Sequence, residues 1–465
     1  MSLKGNILRV FSANFLNMIS GIVIAFVIPM ALSVNEYSNL KTYTFYISYI
    51  TIFTLGFQEG MYIKYGGKNF KDLDKNLLKT EHLAYVILQV LFASLFFIVG
   101  ILINNQIIIF MAITIIPFNM VGFFRANYQA IGEFKRYTKL IYIQTLTYLI
   151  LNLLLVFIFK SNNYVYFCLA TIVSNILVTI CIEFSVYKNF KGIRCKYDKS
   201  ILKNFKVGFF ILMANLSVML FYGLDRWFIK IFFTVEDFAY YSFALSMLNL
   251  INVLVNSISV IFYNYISKNE VEESIKKLKN YLIILGGFSS FLYFGFAAVV
   301  NLIIKKYIPS LSIISISFSA YPYMIVINAL FVNLYKARKD EKKYLKVVTG
   351  MLIISFIYNF LAVIISDNPI LIAVATTLGF ITWYLYSAKD FKYLAPNKNE
   401  IMFLGINLIV FLITSHLKNW IMGGFIYLLV IIMTVYFFFN DEFNEVAYII
   451  KLKDKLKENE LNKIN

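Results

Sequence analysis

Cysteine, histidine, proline and acidic residues are all scarce in this chain. Its 465 residues include three Cys, two His, six Pro and only 25 Asp and Glu. The cysteines, Cys168, Cys181 and Cys195, are odd in number, sit in or beside one apolar run and show no metal-ligand spacing, so no chemistry is assigned to them. The histidines, His82 and His416, fall at the ends of apolar runs, which excludes chemistry that needs an imidazole inside the membrane. There is no Walker loop, no catalytic constellation and no aromatic-basic RNA motif. No catalytic residue, metal, cofactor or nucleic-acid partner is therefore expected. The chain also lacks any stretch polar enough for a soluble domain.

What the chain has is apolar length. It is 60% hydrophobic, and its apolar runs reach the roughly 20 residues a helix needs to cross a bilayer. The pattern predicts an all-α polytopic membrane protein with about 14 spans, among them 7–33, 42–63, 207–233, 239–266, 401–417 and 419–439. The first run is too long for a signal-peptide core and reads as a retained signal anchor. Lys and Arg number 43, and with both termini inside, the even-numbered turns collect nearly all of them. The exceptions are Arg226 and Lys230 within the seventh span and Lys41, Lys160, Lys305, Lys306 and Lys418 outside. The outside turns, such as 104–106, are too short to fold over a substrate, which weighs against a glycan polymerase, ligase or glycosyltransferase.

The two halves resemble each other. ALSVNEYSNL (Ala31 to Leu40) aligns with FFTVEDFAYY (Phe232 to Tyr241), Val34 over Val235 and Glu36 over Asp237, and the same offset of about 200 residues places Asn14 over Asn215. Six spans per copy give two lobes of like orientation, the arrangement of many transporters. The expected domains are an N-terminal lobe at 1–190, a C-terminal lobe at 200–390, two extra helices within 400–440 and a cytoplasmic tail at 441–465.

Polar residues inside the spans mark the candidate site. Heptad spacing along the eighth span runs through Ser242, Asn249, Asn252, Asn256, Ser259 and Tyr263, and the second span carries Thr44, Ser48, Thr51, Gln58 and Tyr62. A polar face within a membrane must meet another helix or water. Single residues of this kind fit helix packing worth about 1 kcal/mol, whereas two matched stripes favour a water-filled cavity between the lobes. In the seventh span, LFYGLDRWFIKIF places Asp225, Arg226 and Lys230 in the outer half, where each charge costs about 2.5 to 3.5 kcal/mol unless paired or hydrated. Ile24, Ala25 and Pro29 occupy the matching positions of the first copy, so the duplicated scaffold did not require these charges. Snorkelling of Arg226 and Lys230 to the outer surface is the alternative. Arg9, Glu59, Arg125 and Glu183 lie near span ends and read as interfacial anchors.

ALSVNEYSNL, TLGFQEGMYIKYGGK (Thr54 to Lys68), RANYQAIGEFKRYTK (Arg125 to Lys139) and above all GLDRWFIKIFFTVEDFAYYSFA (Gly223 to Ala244) together resemble the polysaccharide flippases of the multidrug/oligosaccharidyl-lipid/polysaccharide exporter superfamily. The resemblance covers nearly the whole chain. It implies a transporter, not an enzyme, that moves undecaprenyl-diphosphate-linked oligosaccharide repeat units from the inner to the outer leaflet by alternating access. The bacterial cytoplasmic membrane is the expected location, with glycan polymerase and glycosyltransferases as neighbours and a monomer as the working unit. It places the substrate at Arg226 and Asp225 and leaves the coupling ion, Na⁺ or H⁺, open. The rival reading is a cation-coupled multidrug exporter of the same superfamily, which would favour acidic groups over this net basic set.

Overall fold

The structure, a computed structural model, describes residues 3–196, 198–268, 270–445 and 448. It is all helix, with no strand among the described residues. The chain divides into two compact units, Met1–Leu220 and Phe221–Asn465, and the boundary falls inside one long helix, α8 (Ser200–Phe232).

The first unit contains α1 (Leu3–Ala31), α2 (Val34–Tyr49), α3 (Phe57–Tyr65), α4 (Lys75–Leu102), α5 (Gln106–Ala130), α6 (Phe134–Leu153), α7 (Tyr164–Phe190) and the first part of α8. The expected second span, 42–63, is not one helix. After α2 the backbone tightens over Ile50–Thr54 and then turns left-handed at Leu55 (φ 49°) and Gly56 (φ 83°) before α3 begins. A break at membrane depth requires partners for the carbonyls it frees. Asn119 of α5 donates to the Ile50 carbonyl at 3.1 Å, and Gln89 of α4 donates to the Phe53 carbonyl at 3.2 Å. The two amides are themselves joined at 2.6 Å.

The break also lets α8 approach closely. A Cβ on Gly208 would lie 1.7 Å from the Gly56 carbonyl oxygen, and one on Gly60 would lie 2.0 Å from the Asn204 carbonyl oxygen. Gly56, just before α3, and Gly60 within it thus seat the start of α8 backbone to backbone, as small residues do in membrane helix pairs. Beside this contact Glu81 is fully buried and accepts from Lys64 (2.7 Å), Tyr65 (2.6 Å) and Asn204 (2.9 Å). Stacked Phe57, Tyr85 and Phe123 fill the neighbouring core.

The second unit contains the rest of α8 with α9 (Val235–Lys268), α10 (Glu272–Leu302), α11 (Ser310–Ser319), α12 (Tyr321–Val326), α13 (Val332–Ala337), α14 (Glu341–Ile365), α15 (Pro369–Asp390), α16 (Lys398–Ser415) and α17 (Trp420–Phe438). The expected extra pair, α16 and α17, packs on α10. Tyr427 donates to the Gly287 carbonyl and Tyr293 to that of Ser415, each at 2.9 Å. Lys279 and Glu400, 1% and 6% exposed, pair at 2.6 Å, and Lys279 also donates to the Leu394 carbonyl at 2.7 Å.

Among the described residues, eleven helices are long and apolar enough to cross a membrane, or twelve if the pair Ser310–Ser319 and Tyr321–Ala337, bent by 46°, forms one span. The expected count was about 14, against these eleven or twelve among the described residues. Of the expected spans, 42–63 is absent from this set because it is broken. Four of the turns expected outside end in an asparagine that starts the next helix. Asn105, Asn163, Asn368 and Asn419 each cap the following helix by accepting a backbone N–H near 3 Å.

Candidate functional site

In the second unit, α8 carries three ionisable side chains within two turns. Asp225 is 3% exposed. One carboxylate oxygen accepts the Arg226 backbone N–H at 2.7 Å, and the other accepts the Tyr241 hydroxyl of α9 at 2.9 Å. Arg226 is half-buried, and its charge acts on both Asp225 and Tyr241. Lys230, one turn on, places its ammonium 4.8 Å from the centre of the Phe238 ring. The acid therefore points into its own unit, held by a phenol, while the adjacent guanidinium stays partly accessible.

One turn before Arg226 on the same helix, Tyr222 opens a second network. It donates to the Asn328 side chain at 2.7 Å, in the wide turn Ile327–Phe331 that joins α12 to α13. Ser259 of α9 donates to the Asn328 carbonyl at 3.0 Å, and Asn333 of α13 donates to the Ser259 hydroxyl at 2.9 Å. Sequence reasoning placed Ser259 on the polar stripe but missed Tyr222, Tyr241, Asn328 and Asn333. The signal for the last two was present, since both amides lie in the otherwise apolar run INALFVN.

The stripe residues have different fates. Asn249 is exposed, and Asn252 is half-buried with its side-chain oxygen buried and unpartnered among the described residues. The side chain of Asn256 lies outside the described residues. Ser48 turns back on its own helix, donating to the Phe45 carbonyl at 2.6 Å. Thr51 sits half-buried in the broken stretch, and Gln58 of α3 packs over Gly122 of α5. Asn14 and Asn215 are both exposed.

The first unit holds a polar chain that includes Arg125, expected to be an interfacial anchor. Arg125 of α5 donates to Gln144 of α6 at 2.5 Å, and Gln144 donates to the buried Asn175 of α7 at 2.7 Å. Ser12 and Asn17 of α1 bond Tyr142 and Thr145 of α6 at 2.6 and 3.1 Å. Outside the spans, Arg338 grips Glu270 through two guanidinium nitrogens and holds its carboxyl below the usual range, with Tyr393 donating to the same carboxylate at 3.0 Å. Among the described residues no group of three or more His, Cys, Asp or Glu side chains could hold a metal ion. The cysteines are free, Cys168 buried and the other two exposed.

The family described as polysaccharide biosynthesis protein matches residues 3–270, more than half of the chain. No curated protein gives a significant match. Among solved structures, the lipid II flippase MurJ in an inward closed conformation superposes with a TM-score of 0.67 at 16% identity, over 94% of this chain and 99% of that one. A MATE transporter from Vibrio cholerae, VcmN, gives a TM-score of 0.42 at 12% identity, over 80% and 98%. A MATE in complex with Br-NRF gives 0.40 at 11%, over 82% and 98%. The chain thus has the fold of that lipid flippase and is a multi-pass membrane protein.

Proposed function

Because the chain belongs to the polysaccharide biosynthesis protein family, we propose that it is a flippase for lipid-linked oligosaccharides, a transporter and not an enzyme. The family match carries this reading, and the flippase fold along 94% of the chain supports it. The substrate is an undecaprenyl-diphosphate-linked repeat unit, moved from the inner to the outer leaflet of a bacterial cytoplasmic membrane by alternating access, with both chain termini inside.

Arg226 suits the diphosphate. A guanidinium keeps its charge at any working pH and offers two parallel donors to phosphate oxygens. Asp225, itself held by Tyr241, acts on the guanidinium through its charge, and the half-buried guanidinium meets the substrate. Lys230 adds a second cation one turn away; Asn249 and Asn252 in the second unit, and Ser48, Thr51, Gln58, Asn14 and Asn215 in the first, are the candidate hydrogen-bonding groups for the sugar, with Asn256 a further candidate whose side chain lies outside the described residues. An inside-negative potential contributes about 2.3 kcal/mol per charge per 100 mV, in the direction that carries an anion outward. Asp225 is the candidate for coupling to Na⁺ or H⁺.

The test is complementation of a strain that lacks its repeat-unit flippase. Wild type restores surface glycan; Arg226→Ala reaches the membrane in normal amount and does not. Normal surface glycan with Arg226→Ala would remove Arg226 from the substrate path.

A further inference from the structure

The first unit has a pocket that the flippase reading does not use. It opens at the end where α3, α5 and α7 finish and α4 and α6 begin, and its cavity volume is about 60 Å³. The walls are chiefly aromatic and aliphatic, Phe70, Phe123 and Phe124 among them. Arg136, in the first turn of α6, lines it with its guanidinium 5.1 Å from the centre of the Phe70 ring and 5.8 Å from that of Tyr128. The only acid within reach of that guanidinium in the described ion pairs is Glu133, at 3.7 Å, and both side chains are 38% exposed.

Two polar atoms of the wall are buried without a partner among the described residues: Nδ1 of His82, a residue 7% exposed, and Oδ1 of Asn127. The chemistry of both follows from their other bonds. His82 Nε2 lies 3.2 Å from a Glu183 carboxylate oxygen, which can only accept, so Nε2 carries a hydrogen, and in the tautomer that holds a single proton there Nδ1 is an acceptor. Asn127 Nδ2 donates to the Phe123 carbonyl at 2.9 Å, so its oxygen is an acceptor too. Orphaned buried acceptors cost stability and call for a donor. A pocket with two acceptors inside, a guanidinium among its lining groups and aromatic walls selects a small polyol that bears an anionic group.

The sequence sets this end of the unit in a basic environment, with Lys64, Lys68, Lys71, Lys75, Lys79 and Lys139 on the flanking turns, where anionic lipid headgroups gather. We infer that the pocket binds the polyol phosphate headgroup of an anionic lipid, phosphate on Arg136 and hydroxyls on Asn127 and His82. The inference is independent of the flippase reading, since it concerns a lipid retained by the protein and not the one transported.

Native mass spectrometry of the full chain, with phosphatidylglycerol, phosphatidylethanolamine or phosphatidylcholine added, tests it directly. Wild type is expected to retain phosphatidylglycerol over the other two, and Arg136→Gln and Asn127→Leu each to weaken that retention about tenfold, the scale of one good hydrogen bond. Ser185→Phe, which fills the pocket without touching the polar groups, abolishes it and serves if Asn127→Leu does not fold. Displacement of the bound lipid by glycerol 3-phosphate would support the polyol phosphate chemistry. Binding of glycerol 3-phosphate alone would overturn the lipid source. Equal retention of the three lipids, or unchanged retention by Arg136→Gln, would overturn the site.

Discussion

Replacing Lys279 by Met isolates the energetics that hold the C-terminal helix pair. Lys279 on α10 and Glu400 on α16 are almost completely buried and 2.6 Å apart. Among the described residues the only other hydrogen bond of the Lys279 ammonium is to the Leu394 carbonyl. Removing the cation strands a buried carboxylate, a loss of about 3 to 5 kcal/mol, whereas replacing both partners with apolar residues of similar volume is neutral or stabilising by about 1 to 4 kcal/mol. At about 2 to 4 °C per kcal/mol for a unit of this size, Lys279→Met lowers the Tm by about 10 °C, and Lys279→Met with Glu400→Leu restores it. All three tryptophans, Trp227, Trp383 and Trp420, lie in the second unit, so selectively excited tryptophan fluorescence during a thermal ramp reports on this unit. The buried pair of the first unit provides the contrast: Lys64→Met leaves Glu81 bonded to Tyr65 and Asn204, and Lys64 is already 23% exposed, so its loss is smaller. A double variant as unstable as Lys279→Met would refute the reasoning, because it would locate the loss in packing and not in the stranded charge.

Gly208→Ala would place a methyl 1.7 Å from the Gly56 carbonyl oxygen and is expected to abolish the monodisperse peak in size-exclusion chromatography, while Gly350→Ala, with nothing within 4 Å, is tolerated or gains about 0.5 to 1 kcal/mol. The Glu270 carboxyl, held low by Arg338, contributes stability above the ordinary carboxylate pKa and loses it as the pH falls through the lowered value. Arg338→Gln is therefore less stable than wild type at neutral pH, and the gap in Tm closes as the medium is acidified well below about pH 4. With the native cysteines replaced, Asn252→Cys and Ser48→Cys are expected to react with a membrane-impermeant thiol reagent in at least one transport state; complete protection of both would count against a hydrated path.

Hydropathy and charge are summed residue by residue, and so the sequence alone determined what depends on such sums. The apolar runs specified a helical membrane protein, the asparagines of the short turns supplied helix caps, and the segment from Gly223 to Ala244 pointed to the family that the match over 3–270 establishes. Which polar group meets which was decided by tertiary structure, because a bond between helices depends on rotation and close approach, which no single helix encodes. Asp225 was legible as a buried charge, but its phenol partner Tyr241 was not. Arg125 looked interfacial because it lies near a span end, yet Gln144 and Asn175 draw it into a chain across three helices. The break in 42–63 was hidden for the same reason: the carbonyls of Ile50 and Phe53 are met by Asn119 and Gln89, which come from elsewhere in the chain.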